Sequence, residues 1–304
     1  MSKRKPRTKI YSPRVWPTWV LLAFLWLITR LPLNSIAGIG RLMGRLFYNL
    51  SPSRRHITHV NLDLCFPELS SQERTVLARQ ATIHTALGAL EAMLSWLNPK
   101  RDLSERITVT GVTHLHEAVA QGRGVVLLGG HFSALDIISQ GLAKAVDIDV
   151  MYRENKNPVW EWLQLSGRRR YFDGVIERDD TRQTLRRLKA GRTIWYAGDQ
   201  DYGPKHSVFA PFFDIPTATI NATARMARFN GSPVIFMKNF RHLDTQTWSV
   251  EFSPMIEGFP TGDDLADATK INEIIESAIR EHPEQYMWMH RRFKTRPPGE
   301  AGVY

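Results

Sequence analysis

The 304-residue chain has one cysteine, Cys65, so no disulfide forms within it and a cystine-stapled scaffold is excluded. No acidic residue precedes Asp63. No Gly-x-Ser-x-Gly elbow occurs, which removes the usual setting of a serine nucleophile in α/β enzymes. Internal repeats and low-complexity stretches are absent too, so a solenoid is excluded. The main apolar run, residues 15–28, falls short of the roughly 20 residues that a bilayer crossing needs. What the chain does have is core material: 43% hydrophobic residues, nine Trp and fourteen Phe, which rules out disorder.

The net charge of +10 is unevenly placed. Eleven Lys and Arg fall in residues 1–62, and the remaining 242 residues carry 29 basic against 30 acidic side chains. A uniformly basic protein would point to nucleic acid; a near-neutral body with a cationic tip does not. Trp16, Trp19 and Trp26 in the apolar run suit a membrane interface, and Arg30 extends the run only by snorkelling. Ile36, Ile39, Met43, Leu46, Phe47 and Leu50 follow at helical spacing with Arg41 and Arg45 among them, the pattern of a helix lying on an anionic leaflet. A cleaved signal peptide fits poorly, because Arg30 and Pro32 stand where small residues should be. A pair of amphipathic core helices is the competing reading. These features divide the chain into residues 1–55, a basic tail with a membrane-anchoring helix and an amphipathic helix, and residues 56–304, one catalytic domain. Whether the anchor spans the bilayer or dips into it stays open at this point, and the lone free cysteine fits a reducing compartment.

Beyond residue 70 the text alternates. Ser70 to Glu73 reads as a helix N-terminus, and the helix runs to about residue 97. Strand-like pieces are expected at 107–110, 124–128, 149–152, 175–176, 193–197, 234–239 and 248–252. Helical text fills 114–121, 134–145, 158–170, 181–190, 220–230 and 265–281. That alternation predicts an α/β fold, a mixed central sheet with helices on both faces.

The densest chemical signal is Val125 to Leu128, then Gly129-Gly130-His131, with Asp136 five residues after the histidine. Ligands of open α/β sheets bind at the carboxyl ends of strands, and paired glycines let a substrate approach closely. His131 has the natural pKa of a general base, and Asp136, expected one turn into a helix, would orient it. A histidine–carboxylate pair with no nucleophile of its own implies that the substrate supplies the hydroxyl. A His capping a helix is the alternative for such a short motif.

His131-x4-Asp136 behind a Gly-Gly strand end is the pattern of the glycerolipid acyltransferase superfamily. More specifically, the chain resembles the lipid A biosynthesis late acyltransferases, the lauroyl and myristoyl acyltransferases of Gram-negative bacteria. The likeness includes Arg54-Arg55 through Asn61-Leu62, Cys65-Phe66-Pro67-Glu68, Tyr152-Arg153-Glu154-Asn155, Gly198-Asp199-Gln200-Asp201-Tyr202-Gly203-Pro204-Lys205, the stretch 208–213 and the tail 287–300. Many members carry Glu where this chain has Asp136. The resemblance implies a glycerolipid acyltransferase-like fold with an N-terminal membrane helix. It implies transfer of an acyl chain, lauroyl or similar, from acyl carrier protein to a hydroxyacyl hydroxyl of a Kdo-bearing lipid A precursor. No metal and no other cofactor is implied, and the setting is the bacterial inner membrane with the catalytic domain facing the cytoplasm.

The same resemblance distributes the roles. His131 deprotonates the acceptor and Asp136 orients His131. Arg153 is a candidate oxyanion donor, or a solvated strand-end arginine. Asp199, Gln200 and Asp201 shape the pocket and position His131 or the acceptor; no His or Cys lies near the two Asp to favour a metal. Lys205, Arg291 and Arg292 would bind phosphates and Kdo carboxylates, or form part of a solvated basic tail. The runs 168–170 and 186–192 would steer an acidic carrier protein or merely decorate helices. Another glycolipid or phospholipid acceptor, or an acyl-thioesterase, keeps the same chemistry; nucleic acid is not expected.

Overall fold

A seven-stranded sheet orders the protein in the computed structural model, which describes residues 10–205 and 207–304. The chain runs α1 (Trp16–Ile28), α2 (Leu33–Leu50), α3 (Pro52–Cys65), α4 (Ser71–Leu97), β1 (Ile107–Thr110), α5 (Val112–Val119), β2 (Val125–Gly129), α6 (Ser139–Ala145), β3 (Ile148–Tyr152) and α7 (Pro158–Arg168). It continues with β4 (Gly174–Glu177), α8 (Thr181–Lys189), β5 (Thr193–Ala197), β6 (Ser207–Phe212), β7 (Ile215–Ile220), α9 (Ala222–Asn230), β8 (Val234–His242), β9 (Thr247–Met255) and α10 (Asp264–Glu281). The sheet order is β1-β9-β8-β2-β5-β3-β4; every neighbouring pair is parallel except β8–β9, which is antiparallel. The expected mixed α/β sheet, covered on both faces, is what the chain forms.

Side chains alternate across the sheet with the two-residue period of a strand. Val125 and Leu127 of β2, with Trp195 and Ala197 of β5, join a cluster that includes Leu90 and Leu94 of α4, Leu142 of α6 and Leu163 of α7. Val126, Leu128, Ile194 and Tyr196 point the other way, toward Met226 of α9, Ile275 of α10 and the C-terminal Tyr286, Trp288 and Phe293. Helix starts are specified locally: Ser70 and Glu73 form a reciprocal capping box on α4, and Asn157, Asp180 and Asp263 cap α7, α8 and α10.

Two expectations change. The helix expected from residue 134 begins only at Ser139, and 133–138 are turns. A two-stranded antiparallel hairpin, β6–β7, stands in a stretch where the sequence pattern predicts no strand. Its turn residues Phe213 and Asp214 both have positive φ, 51° and 61°, without the Asn-Gly that normally announces such a turn.

The membrane-spanning helix is also corrected. α1 has 13 residues, roughly 20 Å of helix against about 30 Å of hydrocarbon, and no helix among the described residues is long and apolar enough to cross a membrane. Leu22, Leu25 and Ile28 of α1 instead bury in the cluster on one sheet face, and Asn98 and Arg101 beyond α4 donate to the carbonyl of Thr29. α2 crosses α4 through glycines: a Cβ at Gly44 would lie 2.5 Å from the Ile83 Cα, and one at Gly40 would meet the Leu87 side chain at the same distance. The outer faces of both helices stay apolar. Among the described residues, 13 of the 19 exposed large hydrophobic side chains lie between Tyr11 and Leu50. The cations at positions 3 to 9 lie outside the described residues.

Candidate active site

β2 and β5 pair in parallel with Gly129 opposite Ala197. His131 and Asp199 each follow two residues beyond that matched pair, so equal overruns of adjacent strands bring them together. The His131 Nδ1 lies 2.6 Å from Asp199 Oδ1, and the His131 backbone N–H donates to Oδ2 at 2.8 Å. One buried carboxylate thus fixes both the ring and the main chain. With Nδ1 carrying its hydrogen toward Asp199, Nε2 holds the lone pair and faces the cavity. Burial by itself would raise the Asp199 carboxyl. The adjoining His131 and hydrogen bonds from His131 and the Tyr286 hydroxyl outweigh it and hold Asp199 ionised, well below the ordinary carboxylate range.

The carboxylate that contacts the His131 ring is therefore Asp199, and Asp136 is engaged elsewhere. Asp136 accepts from Arg168 Nε at 2.9 Å and Nη2 at 3.0 Å, a bidentate pair with both side chains mostly buried. The reason is local: Asp136 sits in the turn segment rather than on a helix facing back to the imidazole. Arg168 is correspondingly an internal partner rather than a surface cation for docking.

The turn 131–133 is held from behind. The Ser133 N–H donates to Gln285 O at 2.9 Å, the Met287 N–H to His131 O at 3.1 Å, and Phe132 bridges Tyr286. Beneath it a buried network joins Arg241 to Glu91 through two bonds of 2.5 Å, to His84 Nδ1 at 2.9 Å and to Ser133 Oγ at 3.1 Å. Burial first, then the neighbouring Arg241, brings the His84 pKa down to about 3, so it accepts as a neutral ring. α4 closes against the turn at Gly88, where an added Cβ would lie 1.9 Å from the Ser133 carbonyl oxygen.

A cavity of about 990 Å³ opens in front of His131. Leu135, Met151, Leu185, Met226 and Phe229 give it apolar walls, and Arg153, Arg178, Lys205 and Arg225 supply cations. The Asp136–Arg168 pair stands in the wall it shares with a second cavity of about 20 Å³, lined by Leu142, Ile148, Val150 and Phe172. Gln200 and His290 complete the centre. The Gln200 side-chain nitrogen is 3.0 Å from His131 Nε2 and 3.2 Å from His290 Nε2. His290, which no motif singled out, arrives from the C-terminal segment; burial, then nearby His131, brings its pKa down to about 4.

Other expected site residues are placed differently. Arg153 and Lys205 line the cavity. Asp201 does not: it accepts from the N–H groups of Gly203 at 2.7 Å and Thr295 at 2.8 Å, tying the C-terminal tail to the β5 loop. Arg292 is buried, donating to Ala218 O at 2.8 Å and stacking over Phe212, so it cannot present a charge to a phosphate. Arg291 is exposed against the Tyr304 ring, away from the cavity lining. No three His, Cys, Asp or Glu side chains among the described residues group to hold a metal ion.

Residues 3–295 match the sequence model of the bacterial lipid A biosynthesis acyltransferase family. The lipid A biosynthesis lauroyltransferase of Escherichia coli K12 is 36% identical, over 98% of this chain and 97% of its own length. The palmitoleoyltransferase of the same strain is also 36% identical, over 96% and 95%. Its myristoyltransferase is 29% identical, over 96% and 91%. With its residues 3–295 matching the family's sequence model and relatives matched over nearly their whole length, the chain belongs to the bacterial lipid A biosynthesis acyltransferases.

Proposed function

We propose that the protein transfers a fatty acyl chain from acyl carrier protein to a hydroxyacyl hydroxyl of a Kdo-bearing lipid A precursor. The observation that carries this reading is the His131 ring, held through Nδ1 by Asp199 at 2.6 Å at the edge of a cavity large and apolar enough for acyl chains. The acceptor hydroxyl gives its proton to Nε2 as its oxygen bonds to the thioester carbonyl carbon. The carbonyl electron pair moves to oxygen, returns as the C–S bond breaks, and the departing thiolate takes the proton from Nε2. Asp199 stabilises the imidazolium that exists between these transfers. Arg153 and Lys205 are assigned to the anionic groups of the substrates.

Membrane attachment belongs to the same reading. The exposed apolar faces of α1 and α2, flanked by Arg14, Arg30, Arg41 and Arg45, suit an in-plane seat in an anionic leaflet. Such a seat would present the cavity to lipid acceptors from the cytoplasmic side of the inner membrane. The test is transfer of radiolabelled lauroyl from its carrier-protein thioester to tetra-acylated Kdo-bearing precursor. Acceptor-dependent product supports the reading, whereas hydrolysis independent of acceptor would assign a thioesterase.

A further inference from the structure

The amide of Gln200 sits where the acceptor hydroxyl must come. Proton transfer to His131 requires an oxygen within hydrogen-bond reach of Nε2. That position, 3.0 Å away, is occupied by the Gln200 Nε2. An amide nitrogen has two hydrogens and no lone pair to offer, so both imidazoles bonded to it are acceptors. His131 meets this requirement because its own hydrogen is on Nδ1, against Asp199. His290 meets it as a neutral ring, consistent with a pKa near 4 in its buried surroundings.

We propose that Gln200 is the oxyanion donor of the acyl-transfer step and that His290 is the residue that positions it. When the acceptor hydroxyl takes its place on His131 Nε2, one amide hydrogen of Gln200 loses its partner while the other stays on His290. The displaced N–H remains beside the reacting atoms and is free to donate to the carbonyl oxygen as that oxygen gains charge. An amide donor held by a second partner, as His290 holds Gln200, stabilises the charge of a tetrahedral intermediate. Arg153 is less suited: its side chain is exposed at the cavity wall and has no contact with the base. The sequence places Gln200 next to Asp199, so one loop after β5 supplies both the orienting carboxylate and the oxyanion donor.

The proposal rests on the acyl-transfer reading, and the experiment separates the two. Steady-state transfer from lauroyl-acyl carrier protein to tetra-acylated precursor is measured for wild type, His131→Ala, Gln200→Ala, His290→Leu, His290→Gln and the Gln200→Ala/His290→Leu pair. Gln200→Ala is expected to lower kcat by about 10²-fold with little change in KM. His290→Leu is expected to lower kcat in wild type and to lower it no further in the Gln200→Ala background, because it acts through that amide. His290→Gln, which keeps an acceptor, should recover part of the loss. Gln200→Met, similar in length but without N–H donors, replaces Gln200→Ala if thermal unfolding shows the latter misfolded. An active, His131-dependent wild type together with Gln200 variants within about threefold of it would overturn the proposal. So would losses that multiply in the double variant. A wild type that transfers no acyl group would remove the acyl-transfer reading and this proposal together.

Discussion

At the scale of single residues, two carboxylates compete for the role of orienting the base, and geometry separates them. Asp199→Asn keeps the shape but lets the ring adopt the other tautomer, so kcat is expected to fall about 10³–10⁴-fold, read from steady-state transfer. Asp136→Asn instead leaves the mostly buried Arg168 without its partner. It is expected to destabilise by roughly 3 kcal/mol in denaturant unfolding, and Arg168→Met in the same chain should recover part of that loss. His131 was legible in the sequence because a buried strand, two glycines and a histidine form a local pattern. Its partner was not, because Asp199 lies 68 residues further on and arrives through the strand register, which no local pattern encodes. Asp136 is near in sequence, yet its carboxylate meets Arg168 rather than the imidazole. Buried His84 and His290 add a pH dependence. Their pKa values, about 3 and about 4, lie below the ordinary 6.5, so the unfolded chain binds more protons below that pH. Stability is therefore fully present above pH 6.5 and falls as the pH drops toward 3, each group contributing up to about 1.4 kcal/mol per pH unit. His84→Gln, which keeps an acceptor for Arg241, should make the melting temperature less steep with pH across that window.

At the scale of elements, strands were readable where they are short, apolar and buried on both faces, as β2 and β5 are. The β6–β7 hairpin was not, because Pro211 pairs with Pro216 and the turn is made by Phe213 and Asp214 rather than by glycine. Its tightness comes from tertiary contacts: Glu276 of α10 accepts from the Phe213 N–H at 2.5 Å, and Arg280 lies over the Phe213 ring. The helix expected across 134–138 failed because the segment 285–287 and Arg168 hold the preceding turn in another conformation. α4 carries that turn on its other side through Gly88. Gly88→Ala is expected to displace the Ser133 carbonyl and lower kcat by an order of magnitude or more, since about 1 Å of misplacement near the chemistry costs up to about 10²-fold. Circular dichroism at 222 nm should stay at the wild-type value, because alanine is the better helix former.

At the scale of the molecule, the uneven charge and the exposed apolar faces of the N-terminal helices are set apart from the cavity in front of His131. α1 is built into the core on one side and left apolar on the other, so removing it would uncover the core partners of Leu22, Leu25 and Ile28 as well as deleting its exposed apolar face. Substituting the outer face alone is the cleaner perturbation: Phe24→Glu with Leu27→Glu should release the protein from anionic vesicles in a flotation assay while the melting temperature holds. Retention on the vesicles would place attachment elsewhere. The central claim is that His131 activates an acceptor hydroxyl for acyl transfer. Its most direct test compares wild type with His131→Ala for radiolabelled lauroyl transfer from acyl carrier protein to the tetra-acylated Kdo-bearing precursor. The account predicts acceptor-dependent, penta-acylated product from wild type and at least a 10³-fold smaller rate from the variant; equal turnover by the two proteins would contradict it.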